Sequence, residues 1–133
     1  MILVDSSVWI DIFRGRKTQA SRFLKNIQET NISEICISSI IYFEVLRGIR
    51  SDLDRKKIQR DFDHFIRKDY INTGFDKLTS HYQIALRKKL PTSKLGDWLI
   101  LKTVLDHNLT LLTSDKDFYR IQEIIPFSLI KFV

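Results

Sequence analysis

Five acidic residues of this chain stand where carboxylates could act together on a metal ion. Each follows a short apolar run or lies in the helical pattern after one, and they are Asp5, Glu44, Asp97, Asp115 and Asp117. Four carboxylates brought within ~4 Å of one another would repel by roughly 4 kcal/mol per pair at an effective dielectric near 20. A fold keeps such a cluster only when a cation or a proton relieves the repulsion. All-oxygen ligands favour Mg²⁺ or Mn²⁺ over zinc, so the set predicts metal-assisted chemistry.

Four of these acids also have a purely structural interpretation. Asp5 and Asp97 each stand before a helical pattern, where aspartate makes a good N-cap. Asp115 and Asp117 follow an apolar strand pattern, where aspartate is favoured in turns. Taken singly, none of the four separates a metal ligand from a cap or a turn residue.

Glu44 is more informative than the other acids. It lies in a helical pattern that is apolar nearly all round, with Ile40 and Ile41 as its neighbours on the preceding turn. A buried carboxylate without a partner is costly, so Glu44 needs either a metal ion or an ion pair. Arg47 and Arg50 are the candidates for the ion pair.

Short apolar runs separated by helical patterns indicate how the acids are positioned. Strands are predicted at residues 2–4, 35–37, 70–72, 109–112 and 127–132. Helices are predicted at residues 8–13, 21–27, 40–49 after a cap at Ser38 or Ser39, 51–68, 78–90 with a stop at Pro91, and 98–105. This alternation predicts an α/β fold with a mainly parallel sheet of about five strands covered by helices on both faces. Ligands of such sheets bind beyond the carboxyl ends of the strands, where most of these acids fall.

Composition narrows the class of protein. With 133 residues, 4 Gly, 2 Pro and no repeat, the chain is expected to form a single domain over residues 1–133. It carries one cysteine, Cys36, no apolar run of membrane-spanning length and no signal-peptide pattern, which predicts a cytoplasmic protein. His64, His81 and His107 show no zinc-like spacing with Cys36 and are interpreted as surface or helper residues.

The net charge is +6, from 22 Lys and Arg against 16 Asp and Glu. Setting the five acids of the candidate site aside leaves 11 acids against the same 22 bases. A strongly basic surface around an acidic hole would position a polyanion such as nucleic acid without reading its sequence.

Four segments, in order, resemble the motifs of the PIN-domain family, and within it the VapC-type toxins of toxin–antitoxin pairs. They are residues 2–8 (ILVDSSV), 38–48 (SSIIYFEVLRG), 96–100 (GDWLI) and 111–118 (LLTSDKDF), and the match runs over essentially the whole chain. One departure follows the third motif, where the family usually has a pair of small residues and this chain has Leu101 and Lys102. That change either loosens close helix packing or places a lysine near the site.

The resemblance implies a PIN-like α/β/α sandwich that hydrolyses RNA phosphodiester bonds. Asp5, Glu44, Asp97 and Asp115 would then be the catalytic acids and would hold one or two Mg²⁺ or Mn²⁺ ions. In the fourth motif the family pattern favours Asp115 as the ligand.

Supporting roles also follow from the resemblance. Ser6 and Thr113 would hydrogen-bond an acid or a bound water, and Asp117 would contact the metal through water or cap the next turn. Arg47 and Lys102 at the rim would hold phosphates.

The resemblance further implies partners, namely an RNA substrate, a small cognate antitoxin and a second copy of the chain in a homodimer. The apolar residues of segment 51–68 could form the partner surface or belong to the core.

Three other functions are alternatives to a ribonuclease: a non-catalytic RNA-binding module, a DNA-directed nuclease and a receiver-like phospho-acceptor domain. A pure RNA binder gains nothing from carboxylates near phosphates, and a receiver needs an acid after a central strand, whereas the second strand here ends at Ser38. The DNA-directed nuclease is the closest of the three, and the sequence does not exclude it.

Overall fold

The computed structural model describes residues 1–90 and 94–132, which form a parallel sheet between layers of helices. The strands are β1 (Ile2–Val4), β2 (Ile35–Ile37), β3 (Ile66–Arg67), β4 (Thr110–Leu112) and β5 (Ser128–Leu129). The helices are α1 (Ser6–Phe13), α2 (Gln19–Thr30), α3 (Ser39–Leu46), α4 (Asp52–Asp63), α5 (Phe75–Arg87), α6 (Leu95–His107) and α7 (Lys116–Gln122), with a short 3₁₀ turn at Ile32–Glu34. The α/β fold predicted from the sequence is confirmed.

The five strands lie in the order β3-β2-β1-β4-β5, and every neighbouring pair is parallel. The chain moves outward from β1 through β2 to β3 and then returns to the other side of β1 with β4. The strand order therefore reverses between β1 and β4. A crevice forms outside the carboxyl ends of the strands at such a reversal, and ligands of open α/β sheets bind there.

The core lies on both faces of the sheet. The larger cluster joins the strands to α1, α2 and α3, with Leu3, Val8 and Ile41 wholly buried. A second cluster lies among α5, α6 and α7 around Trp98 and Ile121. No helix in the described part of the chain is long and apolar enough to cross a membrane.

Local sequence signals place the helix ends near the site. The Ser38 hydroxyl accepts a hydrogen bond from the Ile41 N–H at 3.2 Å, so Ser38 caps α3 directly after β2. Asn108, at a φ of 51°, ends α6 in the left-handed region that asparagine tolerates, and β4 begins two residues later. A helix that connects parallel strands runs opposite to them, so the first turn of α6 lies at the carboxyl edge of the sheet.

The strand predicted at residues 70–72 is wrong. The third strand is β3, where Ile66 and Arg67 pair with Cys36 and Ile37. The backbone of Ile71 is satisfied by side chains of α6 instead of by a strand. β3 has two exposed residues and therefore carries none of the apolar patterning that identifies a strand.

Other predicted boundaries also shift. The helix predicted at 51–68 ends at Asp63, which leaves room for β3, and the strand predicted at 127–132 is the two-residue β5. The helix predicted at 78–90 is α5, which begins at Phe75 and ends at Arg87. The predicted stop at Pro91 lies outside the described residues.

Candidate metal centre

Asp5 lies at the reversal of strand order. Val4, the last residue of β1, is level with Leu112, the last residue of β4. Asp5 and Thr113 therefore leave the sheet side by side, and the Thr113 hydroxyl donates to Oδ2 of Asp5 at 2.8 Å. Parallel pairing brings together two residues that are 108 positions apart in the chain.

The Asp5 carboxylate is held by hydroxyl groups and does not cap a helix. Asp5 occupies the N-cap position of α1, yet its side chain makes no capping hydrogen bond. Oδ2 instead accepts from Ser7 at 2.7 Å and from Thr113, and the Ser6 hydroxyl lies 3.5 Å from Oδ1. Burial raises the pKa of Asp5, these hydrogen bonds oppose the shift, and the charge of Asp115 adds to it.

Ser7 is a neighbour of Asp5 that the motif pattern alone does not single out. Its hydroxyl contacts Asp5 and accepts from the backbone N–H of Ser114 at 3.1 Å. Ser7 and Thr113 hydroxyls are 3.3 Å apart, and Thr113 accepts from the Asp115 N–H at 3.0 Å. These bonds tie the Asp5 carboxylate to the loop that carries the fourth motif. The sequence places Ser6 and Ser7 next to each other, and only the start of α1 decides which one turns toward Oδ2.

Asp97 lies in the first turn of α6 and is not its N-cap, a position that Lys94 occupies. The pKa of Asp97 is raised to about 7, mainly by burial and also by the charges of Asp5, Asp115 and Glu44, against the opposing effect of Lys94. Three other carboxylates are thus within electrostatic range of Asp97. A proton or a metal ion would relieve their mutual repulsion.

Asp115 and Asp117 complete a close group with Asp97. One carboxylate oxygen from each of the three lies within 4.8 Å of the others. Oδ1 of Asp115 accepts from the Asp117 N–H at 2.9 Å and so caps α7, which leaves Oδ2 for another ligand. Asp115 is therefore both a cap and a member of the acid group.

Glu44 approaches this group from α3. Its Oε1 is buried and has no hydrogen-bond partner among the described residues. The predicted alternative, an ion pair with Arg47 or Arg50, does not form within 4.0 Å in the described chain. Burial raises the pKa of Glu44, with a further contribution from Asp5, and the charge of Arg47 and the hydroxyl of Ser6 oppose the shift.

Gly96 makes room for Glu44. A Cβ added to Gly96 would lie 3.3 Å from Oε2 of Glu44, which is tighter than ordinary van der Waals contact. A residue without a side chain at this position therefore lets the first turn of α6 pass close to the Glu44 carboxylate.

Lys94 is the cation beside these acids. Its Nζ lies 3.6 Å from Oδ2 of Asp115, while the side chain stays 64% exposed. The charges of Asp115, Asp97 and Asp117 raise the pKa of Lys94. One flexible ammonium group shared by several carboxylates does not neutralise them.

The donor set fits a divalent metal ion. The acids offer carboxylate oxygens, one buried oxygen lacks a hydrogen-bond partner among the described residues, and the pKa values of Asp5, Glu44 and Asp97 are raised by burial and, to a smaller extent, by neighbouring carboxylates. Oxygen-only ligands of this kind suit Mg²⁺ or Mn²⁺.

The interpretation of Lys102 as a phosphate-binding residue at the rim is wrong. Lys102 is 3% exposed, and its Nζ donates to Oδ2 of Asp106 and to the carbonyl oxygen of Ile71, each at 2.7 Å. The same ammonium lies 4.8 Å from the centre of the Phe75 ring. Lys102 thus anchors the segment before α5 to α6. Arg47, in contrast, is exposed beside Glu44.

A comparison with known protein families shows which family the chain belongs to. The PIN domain family model matches residues 2–124. The chain belongs to the PIN domain family. The four acidic motifs all fall within the matched part of this PIN domain.

Solved structures with the same fold include toxin–antitoxin complexes. A toxin–antitoxin complex from Klebsiella pneumoniae is 27% identical, with a TM-score of 0.65, over 98% of this chain and 97% of the other. The PIN domain also shares its fold with a chain of VapBC2 from Rickettsia felis bound to a promoter DNA fragment, at 19% identity and a TM-score of 0.71, with both chains wholly covered.

One curated protein also matches over part of its length. A Caenorhabditis elegans protein described as "Putative inactive caspase B" is 28% identical over 97 residues, which are 73% of this chain and 35% of that protein. The PIN domain thus spans about a third of that relative.

Proposed function

We propose that this PIN domain is a Mg²⁺- or Mn²⁺-dependent endoribonuclease and the toxin of a toxin–antitoxin pair. Its family, the acids at the reversal of strand order and the net charge of +6 support this proposal. A basic surface attracts the phosphates of an RNA backbone. A cluster of carboxylates within that surface can bind a metal ion that acts on one phosphate.

Asp5, Glu44, Asp97 and Asp115 would hold the metal, with Asp117 as a further oxygen donor close to Asp97. When bound, a divalent ion acidifies a water ligand and stabilises charge on the leaving oxygen of a phosphodiester. The chain itself orients the donors. Ser7 and Thr113 hold the Asp5 carboxylate in one orientation by hydrogen bonds. Hydroxyls that orient a metal ligand in this way typically raise metal affinity.

The observation that carries the proposal is the environment of Glu44. A buried carboxylate oxygen with no partner is expensive, and here it lies beside Asp97, whose pKa is raised to about 7. If Glu44 had only a structural role, we would expect it to form an ion pair. Arg47 is close enough in sequence to form this pair, but it does not do so within 4.0 Å. Binding of a cation by Glu44 would offset the cost of burying this carboxylate.

The test compares RNA cleavage by Glu44→Gln and by a matched control, Glu29→Gln, whose side chain is exposed on α2. We expect Glu44→Gln to abolish Mn²⁺-dependent cleavage of single-stranded RNA and Glu29→Gln to retain it. In EDTA, Glu44→Gln should melt no lower than the unmodified protein because the variant removes a carboxylate charge that burial and the charge of Asp5 disfavour. Full activity of Glu44→Gln would contradict the proposal.

The same assay separates the rival functions. A non-catalytic RNA-binding module would bind the RNA and leave it intact at every metal concentration. A DNA-directed nuclease would cleave single-stranded DNA of the same sequence faster than the RNA.

We also infer that an antitoxin covers part of this protein and that two copies form a dimer. The toxin–antitoxin complexes with the same fold support the first inference. In the predicted partner segment, Phe62 belongs to the core, whereas Leu53 on α4 is 75% exposed. Co-purification with the product of the adjacent reading frame and light scattering of the free chain test the two inferences separately.

A further inference from the structure

A groove leads away from the metal centre along the β5 side of the sheet. Thr113 and Ser114, which follow β4, form one end of it. The groove has a volume of about 730 Å³ and is bordered by α7, the start of α2 and the segment after β5. Thr113 belongs to both features, because it lines this groove and donates to Asp5.

A second, smaller groove joins the first one to the acids. It has a volume of about 510 Å³ and is lined by Ser7 and Asp115 of the metal centre. Thr18 and Ser114 line both grooves, so the two are continuous. A strand with one phosphate at the acids could therefore extend into the larger groove without leaving the surface.

The charged side chains that line the larger groove are mostly positive, whereas the metal centre is acidic. Lys116, Arg120 and Lys131 line it, and their side chains are exposed. Among the described lining residues these three cations stand against one acid, Glu123, and none of the three cations forms an ion pair with another described residue. Cations without fixed partners are available to phosphates.

Two aromatic rings also line the groove, and both are half-buried. The Tyr119 hydroxyl donates to the carbonyl oxygen of Ile130 at 3.3 Å, and the Phe132 ring packs edge-on against Phe23 at 5.9 Å between centroids. Rings held in place by their own contacts lose little freedom when a base stacks on them. Basic side chains interleaved with fixed rings are the pattern that binds single-stranded nucleic acid.

We propose that this groove holds the single-stranded RNA segment that adjoins the cleaved phosphodiester. Lys116, Arg120 and Lys131 contact its phosphates, and Tyr119 and Phe132 stack with its bases. The proposal rests on the proposed function for the identity of the strand as RNA. A rigid duplex does not present unpaired bases to the rings, so the groove selects single strands.

The test measures binding of a fluorescein-labelled single-stranded RNA of about 12 nucleotides to the full chain in EDTA, so that cleavage does not interfere. The groove variant is Lys116→Gln/Arg120→Gln/Lys131→Gln. Its matched control is Lys56→Gln/Lys57→Gln/Arg60→Gln on α4, which removes the same charge from exposed residues. That helix precedes β3, at the opposite edge of the sheet from β5.

We expect the groove variant to weaken RNA binding at least about tenfold and the control variant by much less. The slope of log affinity against log salt should fall by about 2 in the groove variant, since each phosphate contact of a single strand contributes about 0.7. Phe132→Leu should weaken binding with an unchanged salt slope. Equal losses in the two triple variants, no loss in either, or equally tight binding of the duplex would overturn the proposal.

This experiment also separates the groove from the proposed function. If the protein binds RNA through the groove and never cleaves it with Mn²⁺, the proposed function fails and the groove stands. If Mn²⁺-dependent cleavage is intact in the groove variant and binding is unchanged, the groove proposal fails alone.

Discussion

The hydroxyl of Thr113 donates to Oδ2 of Asp5 at 2.8 Å and joins the carboxyl ends of β1 and β4. Thr113 is 1% exposed and also accepts from the backbone N–H of Asp115. One buried hydroxyl thus links the first acid of the site to the loop that carries the fourth.

Thr113→Val keeps the shape of the side chain and removes the hydroxyl that bonds Asp5, the Asp115 N–H and Ser7. We expect Mn²⁺ affinity to fall by about 10- to 100-fold, as for other residues that support metal ligands. The free energy of unfolding should also fall by about 1–3 kcal/mol, because the Asp115 N–H loses its acceptor. Calorimetric titration and urea unfolding measure the two effects. Thr110→Val, at the other end of β4 where the hydroxyl contacts Ser128, should leave Mn²⁺ affinity unchanged.

The raised pKa of Asp97, about 7 in the folded protein against an ordinary 3.8, predicts a pH-dependent stability. The folded state holds this proton more tightly than the unfolded state does. The stabilisation from the protonated carboxyl is therefore complete below about pH 4 and is lost as pH rises toward about 7. In EDTA, Asp97→Asn should gain melting temperature relative to the unmodified protein between about pH 5 and pH 8.

Mn²⁺ should reverse this difference, because the ion stabilises the ionised Asp97 of the unmodified protein and the variant lacks that carboxylate. Asp76→Asn, at an exposed position of α5, serves as the control and should show no such reversal. A melting-temperature difference that is constant across pH in EDTA would show that Asp97 is not an unusually protonated group.

Gly96→Ala tests the approach of α6 to Glu44. Alanine favours a helix over glycine by up to about 1 kcal/mol, so the variant should melt no lower than the unmodified protein. The added Cβ would lie 3.3 Å from Oε2 of Glu44 and should displace that carboxylate, so Mn²⁺ affinity should fall. Gly48→Ala, where the nearest atom is a carbonyl oxygen at 3.6 Å, should leave Mn²⁺ affinity as it was. Equal affinities in the two variants would count against Glu44 as a ligand.

Lys94→Gln should tighten Mn²⁺ binding by about two- to fivefold. The Lys94 ammonium, 3.6 Å from Oδ2 of Asp115, competes with a metal ion for the same carboxylates, and exposed pairs of this kind are weak. Lys25→Gln, on the exposed face of α2, removes the same charge away from the acids and should have a smaller effect. Titrations of both variants at low ionic strength give the comparison, and weaker binding by Lys94→Gln would contradict the competition.

The convergence of the acids was predictable from the sequence because parallel strands bring their carboxyl ends to one edge. The position of Asp5 follows from this rule, and so does that of Thr113. Ser7 was not predictable, since the choice between two adjacent hydroxyls depends on the backbone at the start of α1. Lys102 was misassigned because sequence does not reveal burial, although its i, i+4 spacing from Asp106 was an available signal of a pair. The single-domain and cytoplasmic assignments stay predictions.

Anomalous diffraction from crystals soaked in Mn²⁺ locates the bound ion itself. We expect an anomalous peak within bonding distance of carboxylate oxygens of Asp97 and Asp115 and of at least one of Asp5 and Glu44. Crystals of a protein that cleaves RNA in the same Mn²⁺ solution, with no anomalous peak at these acids, would contradict this expectation.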